Sequence, residues 1–284
     1  MSPSLRLTSA SPHWPAELGE VESPPEELWL RGRIEILERR PRVAVVGTRS
    51  PTGYGELQAA RLAAFLALHG VTVVSGLARG IDEIAHRAAL EAGGATVAVL
   101  GSGVDRPWPG GELARRMEVE GCLISEFPPG QAPRRHHFPW RNRIIAGLSR
   151  AVVVVEAAHA SGSLITARWA VDQGRAVFAI PGRVDHPMSR GCHRLLREGA
   201  AELYESPSDL LPALGLARVE DVAPPRPAHP ILAALRGETL TADELAQRLG
   251  QGTPETLVAL IDLELSGAIA RGPGGLYRLW ATGG

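Results

Sequence analysis

The chain contains no lysine; all 30 of its basic residues are arginine. Any anion it holds must be met by planar guanidinium groups, backbone N–H groups or hydroxyls. The skew by itself reads as the coding bias of a GC-rich genome. Cysteine is scarce too. Only Cys122 and Cys192 occur in 284 residues, which excludes a disulfide scaffold and fits a reducing cytosol. No apolar run reaches bilayer-spanning length, and the polar, Pro-containing N-terminus has no signal-peptide pattern, so a cytoplasmic protein is expected. Excess positive charge is missing as well: the formal net charge is -1. That excludes a generally basic nucleic-acid coat protein and confines any nucleic-acid site to a local patch.

What the sequence does contain, from Arg42 onward, is alternation. Short β-branched runs at 43–46, 71–74, 96–100, 122–124, 151–155 and 176–180 are separated by Ala/Leu-rich stretches. The intervening stretches predict helices over 56–69, 81–92, 113–119, 141–148, 164–173 and 193–198. Apolar strands alternating with helices indicate a parallel sheet buried on both faces. The fold class is therefore α/β: an extended Rossmann-like, doubly wound, mostly parallel sheet. Residues 1–40 read as an irregular, Pro-rich lead-in lying on the domain 41–214. A Pro-rich linker, 215–230, follows. Residues 231–284 read as a small winged-helix domain: a short helix at 231–235, a second to 249 opened by Thr241 and Glu244 at capping-box spacing, a third from Thr253 to 266, and a Gly-turned hairpin.

In an open parallel sheet, ligands bind beyond the carboxyl ends of the strands. Here those ends are small and polar. Gly47, Thr48 and Arg49 follow the first run; Ser75, Gly76, Arg79 and Gly80 follow the second. Gly101 follows the third, and Ser161, Gly162, Ser163 and Thr166 follow the fifth. Glycine admits close backbone approach, and helix N-termini offer unpaired N–H groups, so such turns on one edge would form an anion-binding rim. Taken singly, each is equally a tight βα connection. Neither a dinucleotide fingerprint nor a P-loop occurs in its proper context. Pro109-Gly-Gly111 resembles part of a motif of nucleotide-cleaving enzymes, but the residues that complete it do not follow.

Residues 126–143 gather Arg134, Arg135, Arg141 and Arg143 around Phe138 and Trp140. Single strands expose a repeating phosphate charge and free base faces. Arginines meet the first and aromatic rings the second, at about 1–3 kcal/mol per stacked base. The prolines at 128, 129, 133 and 139 would hold this stretch as a semi-rigid loop. The alternative is that the two rings are core and the arginines a solvated face. Ile144, Ile145 and Leu148 are assigned to scaffold.

The strings GTRSPTGYG, SGLARGIDEIAH, LGSGVD, SEFPPG, FPWRNRIIAGLS, SGSLITARWA and GRAVFAIPG, in this order over about residues 40–205, resemble the motifs of the DNA-processing protein A family. The tail is similar to that family's winged-helix domain. The resemblance implies a form without the N-terminal sterile-alpha-motif-like domain that many members carry. It implies a homodimer that binds single-stranded DNA, does no chemistry on it, and needs no metal or cofactor. It further implies a mediator that protects incoming strands and loads RecA recombinase during natural transformation, with single-strand-binding protein as a further partner. Carried over by position, Arg49 contacts phosphate and Phe138 stacks on a base beside Arg141, Asn142 and Arg143. Ser161, Gly162, Ser163 and Thr166 supply hydroxyl and N–H donors. The chain departs from the family pattern at 108–112 and 191–193.

Competing readings are a Rossmann-type nucleotide hydrolase and a winged-helix regulator of transcription. Asp82, Asp105, Glu126 and Glu156 could be imagined as the hydrolase's acid pair; helix capping or pairing with arginine is the plainer role. Asp185, His186, Cys192 and His193 match no standard zinc spacing. The third helix of the tail carries Glu255, Asp262 and Glu264 and no basic residue, which favours protein contact over duplex reading.

Overall fold

The segment before residue 41, expected to be irregular, contributes two strands to the sheet. In the computed structural model, which describes residues 4–216, 229–265 and 268–279, β1 (Leu5–Thr8) pairs antiparallel with β2 (Glu27–Gly32). β2 in turn pairs antiparallel with β6 (Cys122–Ser125). Pro12, Pro15, Pro24 and Pro25 lie between these strands rather than within them, where they remove no ladder bond. Only four and six residues long, and with polar residues among the apolar ones, these strands have too weak a pattern to stand out.

The six runs read as strands all form. β3 (Arg42–Val46), β4 (Thr72–Ser75), β5 (Thr96–Val99), β6, β7 (Ala151–Val154) and β8 (Ala176–Ala179) pair in parallel, and β9 (Glu202–Leu203) extends the far edge. Val43 and Val45 face one apolar cluster with Leu62, Leu66 and Ala85, while Ala44 and Val46 face another with Ile144 and Leu148. Successive residues of a strand point to opposite faces, so a continuously apolar strand needs this double cover. The first cluster is covered by α2 (Gly53–Leu68) and α3 (Ile81–Glu91), and the second by α5 (His137–Leu148) and α6 (Ser163–Asp172). The short α1 (Ile34–Glu38) precedes β3, and α4 (Glu112–Val119), α7 (Arg190–Arg197) and α8 (Leu211–Leu214) complete this unit.

The strand order among the described residues is β1-β2-β6-β5-β4-β3-β7-β8-β9. From β3 the chain winds one way to β6, then returns to β7 on the other side of β3. The crevice outside the carboxyl ends of β3 and β7 is thus the topological switch point, where ligands of such sheets bind.

α3 buries a histidine. His86 is fully enclosed, with Nδ1 2.7 Å from the Thr96 hydroxyl. Burial, aided by the Arg141 charge, pushes its imidazole down to about 3 from the ordinary 6.5. The folded state holds the ring neutral where the unfolded chain protonates it. The associated stability is therefore intact above pH 6.5 and is lost progressively as pH falls toward 3. Unfolding free energy of His86→Gln should fall less steeply than wild type below pH 6.5, by up to about 1.4 kcal/mol per pH unit. Identical pH slopes in urea titrations would contradict this.

Residues 1–218 and 219–284 are two separate compact units. The second holds α9 (Pro230–Ala234), α10 (Ala242–Leu249), α11 (Thr253–Leu265) and a hairpin of β10 (Ile269–Arg271) with β11 (Tyr277–Leu279), around Ile231, Leu235, Leu245, Leu260, Ile269 and Tyr277. The capping box at α10 is complete: the Glu244 N–H donates to the Thr241 hydroxyl and the Thr241 N–H to the Glu244 carboxylate, at 3.3 and 2.7 Å. Most of the expected linker, 217–228, lies outside the described residues.

Candidate nucleic-acid interface

A cleft of about 610 Å³ opens at the switch point. Its floor is set by interlocking turns. Gly80 has a φ of +86°, and a Cβ on it would overlap the Thr48 carbonyl; a Cβ on Gly47 would overlap Ile81. Both glycines let the turns after β3 and β4 close together, where the Ile81 N–H donates to the Thr48 carbonyl at 3.2 Å. Ser75 is likewise scaffold: its buried hydroxyl donates to the Val45 carbonyl at 2.6 Å.

Arg141 is buried at the back of the cleft. It donates to the carbonyls of Gly76, at 2.7 Å, and Val99, and to the Asn142 side-chain oxygen at 3.0 Å. A Cβ on Gly76 would overlap its guanidinium. Burial pushes Arg141 down to about 10, so it remains a cation at neutral pH. Asp82, which accepts the Gly76 N–H at 3.0 Å, is pushed up by the same burial, against the pull of Arg141. Asn142 donates to the Gly162 carbonyl at 3.2 Å, tying α5 to the turn that opens α6. That turn sets the Ser161 and Ser163 hydroxyls 2.8 Å apart, and both border the cleft with Gly162 and Thr166. The N-terminus of α6 therefore faces the cavity with these hydroxyls and its positive dipole end, while the N–H groups of Ser163, Leu164 and Ile165 are taken up by Ser161 and Gly162.

α5 begins at His137, earlier than the sequence pattern suggested, so the basic segment is part loop and part helix. Pro139 falls in the first turn, where a missing N–H removes no helical bond. Phe138 is thereby fixed at the helix start, half buried, with its ring against Gly101. The Arg49 guanidinium carbon lies 5.9 Å from that ring's centroid. Arg49 is exposed and Arg135 stands on the rim. Arg79 and Arg134 are exposed but do not line the cavity.

Arg143, expected beside Phe138 as a contact, is turned away. Positions two apart on a helix point about 200° apart, so Arg141 and Arg143 cannot face one cleft. Its buried guanidinium meets both oxygens of Glu126 at 2.7 and 2.6 Å and the Ser23 carbonyl at 2.9 Å. Trp140 covers it at 4.2 Å and does not line the cleft. Sequence reasoning also missed a residue. Trp108, in the turn after β5, is 59 % exposed and lines the cavity. Its signals were an aromatic in a Gly/Pro-rich turn at the same sheet edge and its place in the stretch 108–112, where the chain departs from the family pattern.

The carboxylates considered for catalysis are held by local bonds. Asp105 accepts the Gly130 N–H at 2.8 Å, Glu126 pairs with Arg143, and Glu156 accepts the Thr52 N–H and hydroxyl at 2.9 and 2.6 Å. Asp185 is exposed and paired with Arg183, and burial pushes the Cys192 thiol up to about 12.

A family model described as DNA recombination-mediator protein A matches residues 6–215, and one described as the DprA winged helix domain matches 218–275. The chain belongs to the DNA-processing protein A family. Protein Smf of Escherichia coli is 42% identical over 291 residues, covering 96% of this chain and 77% of its own length. The X-ray structure of DNA processing protein A from Streptococcus pneumoniae shares 42% identity at a TM-score of 0.69, covering 74% of this chain and 73% of that one. The DNA processing protein A of Helicobacter pylori, described for its single-stranded DNA binding mode, shares 29% at a TM-score of 0.67, covering 73% and 93%. Membership of the DNA-processing protein A family agrees with the observed architecture: a Rossmann-like sheet and a winged helix. No helix among the described residues is long and apolar enough to cross a membrane.

Proposed function

We propose that the switch-point cleft binds single-stranded DNA and that the chain serves as a recombination mediator rather than a catalyst. The observation that carries this reading is the pairing of a free guanidinium, Arg49, with the part-exposed ring of Phe138, above a floor charged by Arg141. One group suits a phosphate and the other a base face. Because both features repeat along any single strand, the site reads no sequence. Arg135 on the rim and the donors of Ser161, Gly162, Ser163 and Thr166 extend the phosphate track. The description of the matching family as a recombination mediator, and the single-stranded DNA binding of the Helicobacter pylori relative, support the same reading.

In this role the chain, as a homodimer, protects incoming strands and loads RecA recombinase onto them during natural transformation. Single-strand-binding protein shares the same substrate. The carboxylates near the cleft are engaged in packing bonds, which suits a site that holds a strand without cleaving it.

The test is an anisotropy titration of the full chain with oligo-dT and with a blunt duplex across a salt series. Tight, salt-sensitive oligo-dT binding and far weaker duplex binding are expected; equal affinities would contradict the proposal. Trp108 should add a second stacking ring. Trp108→Ala is expected to weaken oligo-dT binding by roughly 5- to 100-fold, the equivalent of one stacked base, and Trp108→Phe to retain most of it. Unchanged affinity in Trp108→Ala would remove the residue from the site.

A further inference from the structure

α11 has two apolar faces, and the winged-helix core uses one. Leu260 is buried in that core, and Ala259 and Leu263 pack against it. On the other side Leu257, Val258 and Ile261 are 40%, 61% and 54% exposed. At about 100° per residue these three cover a continuous stripe roughly 100° wide. Exposed carboxylates border it on both sides, Glu264 along one edge and Asp262 with Glu255 along the other. The helix contains no arginine, and residues 229–279 together carry four arginines against six carboxylates. One of those arginines, Arg248, is paired with Glu238 at 2.8 Å.

A helix that enters a DNA groove must present cations or hydrogen-bond donors. Aliphatic side chains between carboxylates present neither. We infer that this face of α11 docks an amphipathic protein segment, aliphatic along its centre and carrying Arg or Lys on both flanks. Charge selects that occupant. A second copy of α11 would set carboxylates against carboxylates, and nucleic acid or an anionic lipid surface would meet the same repulsion. A basic amphipathic segment instead buries its aliphatic residues against Leu257, Val258 and Ile261 while each flank meets opposite charge, the helix-in-groove mode of recognition. The inference rests on α11 alone and stands whether or not the cleft binds DNA.

The test uses the full chain and three labelled probes in anisotropy. They are a Leu/Arg amphipathic helical peptide, its counterpart with Glu at every Arg position, and a short blunt duplex. The Arg peptide should bind at least about tenfold tighter than the Glu peptide. Ile261→Asp should abolish that binding while leaving the thermal melt and oligo-dT binding unchanged. Asp262→Arg combined with Glu264→Arg should shift preference toward the Glu peptide. Arg-peptide binding absent up to about 1 mM, or equal for both peptides, or insensitive to Ile261→Asp, would overturn the inference. So would loss of duplex binding in Ile261→Asp, which would make the face a nucleic-acid reader. A dimer dissociated by Ile261→Asp would make the occupant a second copy and overturn it equally.

Discussion

Replacing Arg49 and Phe138 together by alanine is expected to weaken oligo-dT binding by at least about a hundredfold. A stacked base contributes about 1–3 kcal/mol, and the phosphate contact of Arg49 adds to it. The single variants should separate the two contributions. Arg49→Ala removes a phosphate contact, so the slope of log K against log salt should become shallower by about 0.7. Phe138→Ala removes a ring, so affinity should fall by a similar factor at every salt concentration with the slope unchanged. An unaltered salt slope in Arg49→Ala would show that its guanidinium meets no phosphate. The Arg49 guanidinium is exposed 5.9 Å from the ring it accompanies, so Arg49→Ala should not disturb the fold, and a thermal melt checks the half-buried Phe138→Ala.

The second large effect concerns stability. Glu126→Ala is expected to destabilise the Rossmann-like unit by about 3–5 kcal/mol, because it leaves the buried Arg143 cation without its counter-charge. Glu126→Gln should cost less, since an amide oxygen still accepts a hydrogen bond. Both follow from the paired contact at 2.6 and 2.7 Å, with Trp140 over the guanidinium. Urea titrations read the loss as a lower midpoint at constant slope. A loss below about 1 kcal/mol in Glu126→Ala would mean that Arg143 reaches solvent and is free for another partner.

The parallel core was legible because its strands carry consecutive apolar residues rather than alternating ones, which a doubly covered sheet requires. The turns that rim the cleft were legible for a related reason: glycines and hydroxyls follow one strand after another on the same edge. Strands β1 and β2 were not: β1 is a four-residue edge strand with one buried side chain, and β2, paired on both sides, mixes Leu28 and Leu30 with Glu27, Arg31 and Gly32. Within the site, composition identified the basic segment but not which arginines face the cleft. That follows from helix phase: α5 directs Arg141 inward beneath the cavity and Arg143 about 200° away, toward Glu126. Gly47 and Gly80 look like ligand-approach glycines; both serve the interlock of two turns, and Gly47 lines the cleft as well. Trp108 joins the site only because β5 lies two strands from β3, and strand order is a property of the sheet rather than of any local run.

The most direct measurement is photocrosslinking of an iododeoxyuridine-substituted single strand to the full chain, with the adducts located by mass spectrometry. Adducts on the peptides carrying Phe138 and Trp108, the two rings on the cleft, are the expected result. Adducts confined to residues 229–279, with none on either cleft peptide, would contradict a single-strand site at the switch point.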